Sequence, residues 1–249
     1  MAANGQLTVA AILVAAGAGQ RLGAGRPKAL CLLGGRTLTE RAVARFAAHP
    51  AVRDVVVVAP PTHLAEVAEL VARVQSQARV VAGGALRPDS VCRGLDATAP
   101  DVDAVLVHDV ARPFVPAAVI SRVVAALSAG AVGVIPAVAV TDTVKRVESG
   151  RVRATLARES LRAVQTPQGF RREVLVAAYA RARSEGLLAD VTDDASVLEA
   201  AGHPVDVVAG DQHSLKITTP WDLRIAELLA TVLDRDGQPA AADALGEPR

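Results

Sequence analysis

The chain has 249 residues, 51% of them hydrophobic, and its 27 basic and 26 acidic side chains leave a formal net charge of +1. That length suffices for one sizeable core, and so balanced a charge excludes the broad basic field that draws in a nucleic acid. Phe46, Phe114, Phe170, Tyr179 and Trp221 are its only aromatics, too few for a single-strand stacking platform, so no nucleic-acid partner is expected.

Cys31 and Cys92 are the only cysteines, which gives neither a disulfide framework nor a zinc site. The opening residues lack a basic segment, and the apolar run after them is too short to span a bilayer. A cytoplasmic protein with no membrane partner is therefore expected. Residues 9–16 form an unbroken apolar run closed by Gly17, the pattern of a strand buried on both faces. Thr37 with Glu40 predicts a capping box and a helix through Ala48. Strands are expected over 54–59, 79–82, 104–108 and 133–139, with helices over 62–74, 89–97 and 117–129 between them. Residues 141–161 interrupt this rhythm with two polar, β-rich halves around Glu148-Ser149-Gly150, a hairpin too polar to be core and so expected to project. Helices over 171–185 and 193–201, strands over 204–209 and 215–218, and a helix over 220–234 with Pro at its start complete the pattern. The tail from 235 to 249 lacks periodicity and is expected to be disordered. Such alternation predicts one α/β domain over 7–234, with a mostly parallel mixed sheet, helices on both faces and a projecting β-arm.

The first strand opens into Gly17-Ala18-Gly19-Gln20-Arg21-Leu22-Gly23. This loop is not Gly-x-Gly-x-x-Gly, because its third glycine comes one residue late, and no Gly-Lys-Ser/Thr follows to make a Walker A loop. A glycine turn at this place lets backbone N–H groups approach an anion, or is simply a tight turn. Arg21 and Lys28 beside it suit a polyphosphate, unless both are solvated surface charges. Lysine is scarce, with only Lys28, Lys145 and Lys216, so each is less readily dismissed as filler.

The stretch "AAGAGQRLGAGRPKAL" resembles the signature of Rossmann-like nucleotidyltransferases. With "VLVHDVARPFV", "TDTVKRV", "AVQTPQGF", "VTDDAS" and "LKITTPWDL" in order, the chain is similar, from about residue 9 to residue 229, to the family of 2-C-methyl-D-erythritol 4-phosphate cytidylyltransferases. The resemblance implies a substrate phosphate attacking the α-phosphorus of CTP in line and expelling pyrophosphate, assisted by Mg²⁺, with no covalent enzyme intermediate. It implies catalytic roles for Arg21, Lys28, Arg158 and Lys216. Nucleotide contacts would come from Ala15, Ala16, Gly17, Ala18 and Gly19, and from Gly83, Gly84 and Ser90 in a second loop, where Ala85 replaces a frequent acid. Asp109, Arg112, Thr143 and Thr166 would hold the polyol phosphate, and Asp109 would also hold the metal. Segments 163–170 and 191–196 are expected to line the pocket. His108 receives no acid–base role. The family further implies a homodimer whose arms cross to build each other's active sites. Rival readings are a cytidylyltransferase for a pentitol phosphate such as ribitol 5-phosphate, a molybdenum-cofactor nucleotidyltransferase, and a catalytically idle nucleotide-binding protein.

Overall fold

The computed structural model describes residues 7–17 and 26–235. In chain order its strands are β1 (Val9–Val14), β2 (Leu32–Leu33), β3 (Arg36–Thr37), β4 (Val52–Ala59), β5 (Arg79–Ala82), β6 (Ala104–Asp109), β7 (Gly133–Ala139), β8 (Lys145–Glu148), β9 (Arg151–Thr155), β10 (Arg162–Val164), β11 (Gln168–Arg171) and β12 (Asp206–Ala209). The helices are α1 (Leu38–Ala47), α2 (Leu64–Val74), α3 (Arg87–Ala97), α4 (Ala117–Ser128), α5 (Arg172–Ser184), α6 (Asp194–Ala200) and α7 (Pro220–Arg235).

Strands β5, β4, β1 and β6 lie side by side and parallel. Antiparallel β11 fills the space between β6 and β7, and β12 runs parallel along the far side of β7. β1 is apolar throughout because both its faces are covered. Ala11 and Leu13 point into a cluster with Phe46 of α1, Val71 of α2 and Val123 of α4. Ala10 and Ile12 point the other way, toward Leu95 of α3, Tyr179 of α5 and Leu198 of α6. A third cluster joins α7, through Ala226 and Ala230, to Leu33, Leu38 and Phe114. The predicted capping box is present: the Thr37 hydroxyl accepts from Glu40 N, and the Glu40 carboxylate accepts from Thr37 N.

Three expectations are corrected. Residues 215–218 form no strand, because their backbone is engaged elsewhere: Ile217 N donates to Ala111 O, and Ile217 O accepts from Lys28 Nζ. Arg235 belongs to α7 rather than to the tail, whose residues 236–249 lie outside the described ones. Segment 163–170 adds strands to the main sheet. β10 and β11 pair with the same side of β7, with two more residues between them than their β7 partners span. The Gln165-Thr166-Pro167 bulge between them leads the chain into β11, which also pairs with β6.

The hairpin expected around Glu148-Ser149-Gly150 is present. β8 and β9 pair antiparallel around Ser149 and Gly150, both at positive φ (49° and 73°), the two-residue turn that matches strand twist. Every residue of β8 is exposed.

Candidate active site

The carboxyl ends of β1 and β6 and the loop that follows β5 face one cleft of about 320 Å³, the position at which open α/β sheets place their ligands. Its floor is Ala15, Ala16 and Gly17 after β1. One wall is Gly84, Ala85, Leu86, Arg87 and Ser90 at the start of α3; the other is Lys28, Asp109, Val110, Ala111 and Lys216. Gly83 must lack a side chain, because a Cβ there would run into the Cβ of Ala16. The loops after β1 and β5 therefore approach more closely than any larger residue permits. Ser90 holds the second loop in shape: its Oγ accepts from Gly84 N (3.1 Å) and donates to Leu86 O (3.2 Å).

Two of the three lysines meet here. Lys28 opens a short 3-10 turn, Lys28–Leu30, whose Ala29 and Leu30 are buried, and its Nζ donates to Ile217 O at 2.8 Å. Lys216 Nζ pairs with Asp109 Oδ2 at 2.6 Å. Segment 215–218 thus touches both ends of the cleft, held by Asp222, whose carboxylate accepts from Thr218 N and Thr219 N. Lys145 sits on the arm, bonded to Thr155.

Asp109 ends β6 in register with Val14 of β1. Burial would raise its pKa, but Arg87 and Lys216 more than cancel this and hold the carboxyl well below the usual carboxylate range. Behind it runs a polar chain. Asp109 N donates to Thr166 Oγ1 (3.2 Å), Thr166 Oγ1 meets His108 Nδ1 (2.9 Å), and His108 Nε2 lies 3.2 Å from Arg112 O. A neutral imidazole protonated on Nε2 satisfies every link. His108 is fully buried, and burial pushes its pKa down to about 4. A histidine whose folded pKa lies below its unfolded value contributes stability that is complete above about pH 6.5 and is lost as pH falls toward 4. We expect the His108 ring signals in an NMR titration to stay constant from pH 8 to 5; a midpoint near 6.5 would contradict this packing.

The sequence-predicted residues divide accordingly. Ala15, Ala16, Gly17, Lys28, Gly84, Ser90, Asp109 and Lys216 line the cleft together, with Gly83 packed beneath. Thr166 is 6% exposed and braces Asp109 from behind. Arg112 donates to Ser214 O (2.6 Å) and Val164 O (3.3 Å), tying three segments together beside Asp109. Thr143 and Arg158 are exposed and do not line this cleft; Arg158 Nη1 donates to Thr141 O at 2.6 Å. Ala18, Gly19 and Arg21 lie outside the described residues. Segments 163–170 and 191–196 do not line it either. They meet behind it, where Gln168 Nε2 donates to Asp193 Oδ2 and its Oε1 accepts from Ala195 N. Sequence reasoning missed Arg87, which reaches Asp194 Oδ2 at 2.7 Å and Asp109 Oδ1 at 3.5 Å. Its only signal was its position, directly after a glycine loop and at the first turn of a helix.

A sheet covered on both faces carries two small-residue loops that close on a cationic cleft at its carboxyl edge, an arrangement suited to a nucleotidyltransferase. The family described as IspD, 2-C-methyl-D-erythritol 4-phosphate cytidylyltransferase, matches residues 9–232, and the chain belongs to that family. It is 50% identical over 229 residues to a 2-C-methyl-D-erythritol 4-phosphate cytidylyltransferase of Frankia casuarinae, covering 91% of this chain and 82% of that protein. The crystal structure of the enzyme of that name from Thermus thermophilus is similar with a TM-score of 0.74 at 37% identity, over 88% of this chain and 98% of that one. A 4-diphosphocytidyl-2C-methyl-D-erythritol synthase from Anaerococcus prevotii is similar with a TM-score of 0.81 at 26% identity, over 91% and 97% of the two chains. No helix among the described residues is long and apolar enough to cross a membrane.

Proposed function

We propose that this enzyme transfers CMP from CTP to 2-C-methyl-D-erythritol 4-phosphate, releasing pyrophosphate and 4-diphosphocytidyl-2-C-methyl-D-erythritol, a step of non-mevalonate isoprenoid precursor synthesis. The observation that carries the reading is the convergence of Lys28, Lys216 and Asp109 on one cleft beside the glycine loop. The nucleophile is a phosphate oxygen that is anionic near neutral pH, so no side chain has to remove a proton. That agrees with His108 being buried, neutral and bonded on both ring nitrogens. The P–O bond to the α-phosphorus forms as the bond to the leaving pyrophosphate breaks, and the protein contributes alignment and charge. In this reading Lys28 and Arg21 stabilise charge building on the α-phosphate. The backbone of Ala15–Gly19 and of Gly83–Gly84 seats the nucleotide. Lys216 neutralises the incoming phosphate, while Asp109 and Arg112 meet the polyol hydroxyls and Thr166 braces that side.

The donor set fits a divalent ion held largely by the triphosphate. Asp109 offers one hard carboxylate, and the described residues contain no cluster of three His, Cys, Asp or Glu that could hold a metal by themselves. Mg²⁺ bound there would draw the phosphates together and offset their repulsion. Pyrophosphate release measured over a panel of nucleoside triphosphates and polyol phosphates tests the assignment. The expected preferred pair is CTP with methylerythritol phosphate; preference for ribitol 5-phosphate, or no turnover with any pair, would overturn it.

We also propose that the arm completes a partner's site in a two-fold dimer. Val147 and Val152 are 57% and 61% exposed on a two-stranded ribbon that is not stable alone. Thr143 and Arg158 are exposed and stand apart from the cleft of their own chain. Lys28→Ala and Arg158→Ala chains, each inactive alone, should form a heterodimer in which one site carries both lesions and the other neither. The purified heterodimer should recover about half of the wild-type activity, as isologous pairing requires. A heterodimer as inactive as its parents would place Arg158 in its own chain's site.

A further inference from the structure

We infer that Asp194, held by Tyr179, tethers Arg87 away from Asp109 and so keeps the Asp109 carboxylate open toward the ligand; this rests on the role proposed for Asp109. Asp194 and Tyr179 lie outside the cleft, 0% and 2% exposed. The Tyr179 hydroxyl donates to Asp194 Oδ1 at 2.6 Å, which leaves Oδ2 for Arg87 Nη2 at 2.7 Å. The same Nη2 stands 3.5 Å from Asp109 Oδ1, at the outer limit of a hydrogen bond. The guanidinium is therefore drawn to the buried acid and only grazes the one in the cleft.

Its idle donor shows what that tether withholds. Among the described residues Arg87 Nη1 is buried with no hydrogen-bond partner. A guanidinium can engage both oxygens of a carboxylate through parallel N–H donors. If Asp194 lost its charge, nothing would hold Arg87 back from Asp109, and the pairing would satisfy the orphaned donor. Asp109 would then be occupied by Lys216 on one oxygen and Arg87 on the other before any ligand arrived. The tether is rigid because Asp194 begins α6, whose first turn is bonded to β11 through Gln168 and capped by Asp193. Asp194 and Tyr179 are thus positioning residues that act through Arg87.

Asp194→Asn preserves shape and removes the charge. Its kcat/KM for the polyol phosphate should fall about tenfold or more, the scale of coupling between contacting residues, while KM for CTP stays within about threefold. Adding Arg87→Met removes the released guanidinium, and the double variant should be several-fold more active than Asp194→Asn alone. A residue needed only for folding gives the opposite order. A double variant no more active than the single one, with both melting above the assay temperature, overturns the proposal. A ligand-free crystal structure of Asp194→Asn reads the same claim without any activity. Arg87 is expected within about 2.9 Å of Asp109, the usual charge-assisted distance, and an unmoved guanidinium overturns the tether. If wild type turns over no substrate pair, the proposed function fails while this structural readout still stands or falls by itself.

Discussion

Lys28→Ala is expected to lower kcat by about 10²–10³, the loss typical of removing one preorganised donor from a site of developing charge, while CTP binding weakens far less. The side chain is positioned before substrate arrives. It leaves a 3-10 turn anchored by buried Ala29 and Leu30, and its ammonium rests on the Ile217 carbonyl. Lys28→Arg should not restore the rate, because a planar fork spreads its charge and needs more room than a compact ammonium. Single-turnover rates with saturating CTP separate the two effects. Near-normal turnover in Lys28→Ala would remove Lys28 from the chemistry.

Asp109→Asn should cost a comparable factor, about 10²–10³ in kcat, by removing the one acidic side chain among the described lining residues, beside Lys28, Arg87 and Lys216. Lys216 would lose its ion-pair partner, and Arg87 would keep only Asp194. If Asp109 helps to hold the ion, as proposed above, the Mg²⁺ concentration needed for half-maximal rate should also rise. The assay is a Mg²⁺ titration of pyrophosphate release at fixed CTP. A variant with reduced rate but an unchanged Mg²⁺ midpoint would mean that the triphosphate carries the ion without Asp109.

Much of this architecture is legible in the sequence where local and tertiary demands agree. β1 reads as a doubly covered strand because it is one. The Thr37–Glu40 box marks the start of α1, and Ser149-Gly150 marks the turn of the arm, through chemistry confined to a few residues. β11 was not legible. Its Gln-Gly-Phe-Arg has neither period nor β-branched residues, and it is a strand only because β6 and β7 leave a gap that Gly169 is small enough to fill against Val123. Residues 215–218 mislead in the other direction: Ile217, Thr218 and Thr219 favour strands, yet the backbone there serves Ala111, Lys28 and Asp222.

The cleft shows the same division. Gly17, Lys28, Asp109 and Lys216 stand out in their motifs, and the fold unites them. Arg87 does not stand out in an arginine-rich chain. Its partners Asp109 and Asp194 lie 22 and 107 residues away, a relation that no local pattern carries. Segments 163–170 and 191–196 meet outside that cleft, where Gln168 donates to Asp193, a pairing across 25 residues that no local pattern carries.

Attack of a polyol phosphate on the α-phosphorus of CTP in this cleft is read most directly by ³¹P NMR of the protein mixed with CTP, Mg²⁺ and methylerythritol 4-phosphate. Free pyrophosphate and a new pair of mutually coupled diphosphate resonances are expected to grow equally, and the isolated product to have the mass of 4-diphosphocytidyl-2-C-methyl-D-erythritol. Pyrophosphate appearing with CMP alone, or resonances of CTP and methylerythritol phosphate that persist unchanged, would contradict it.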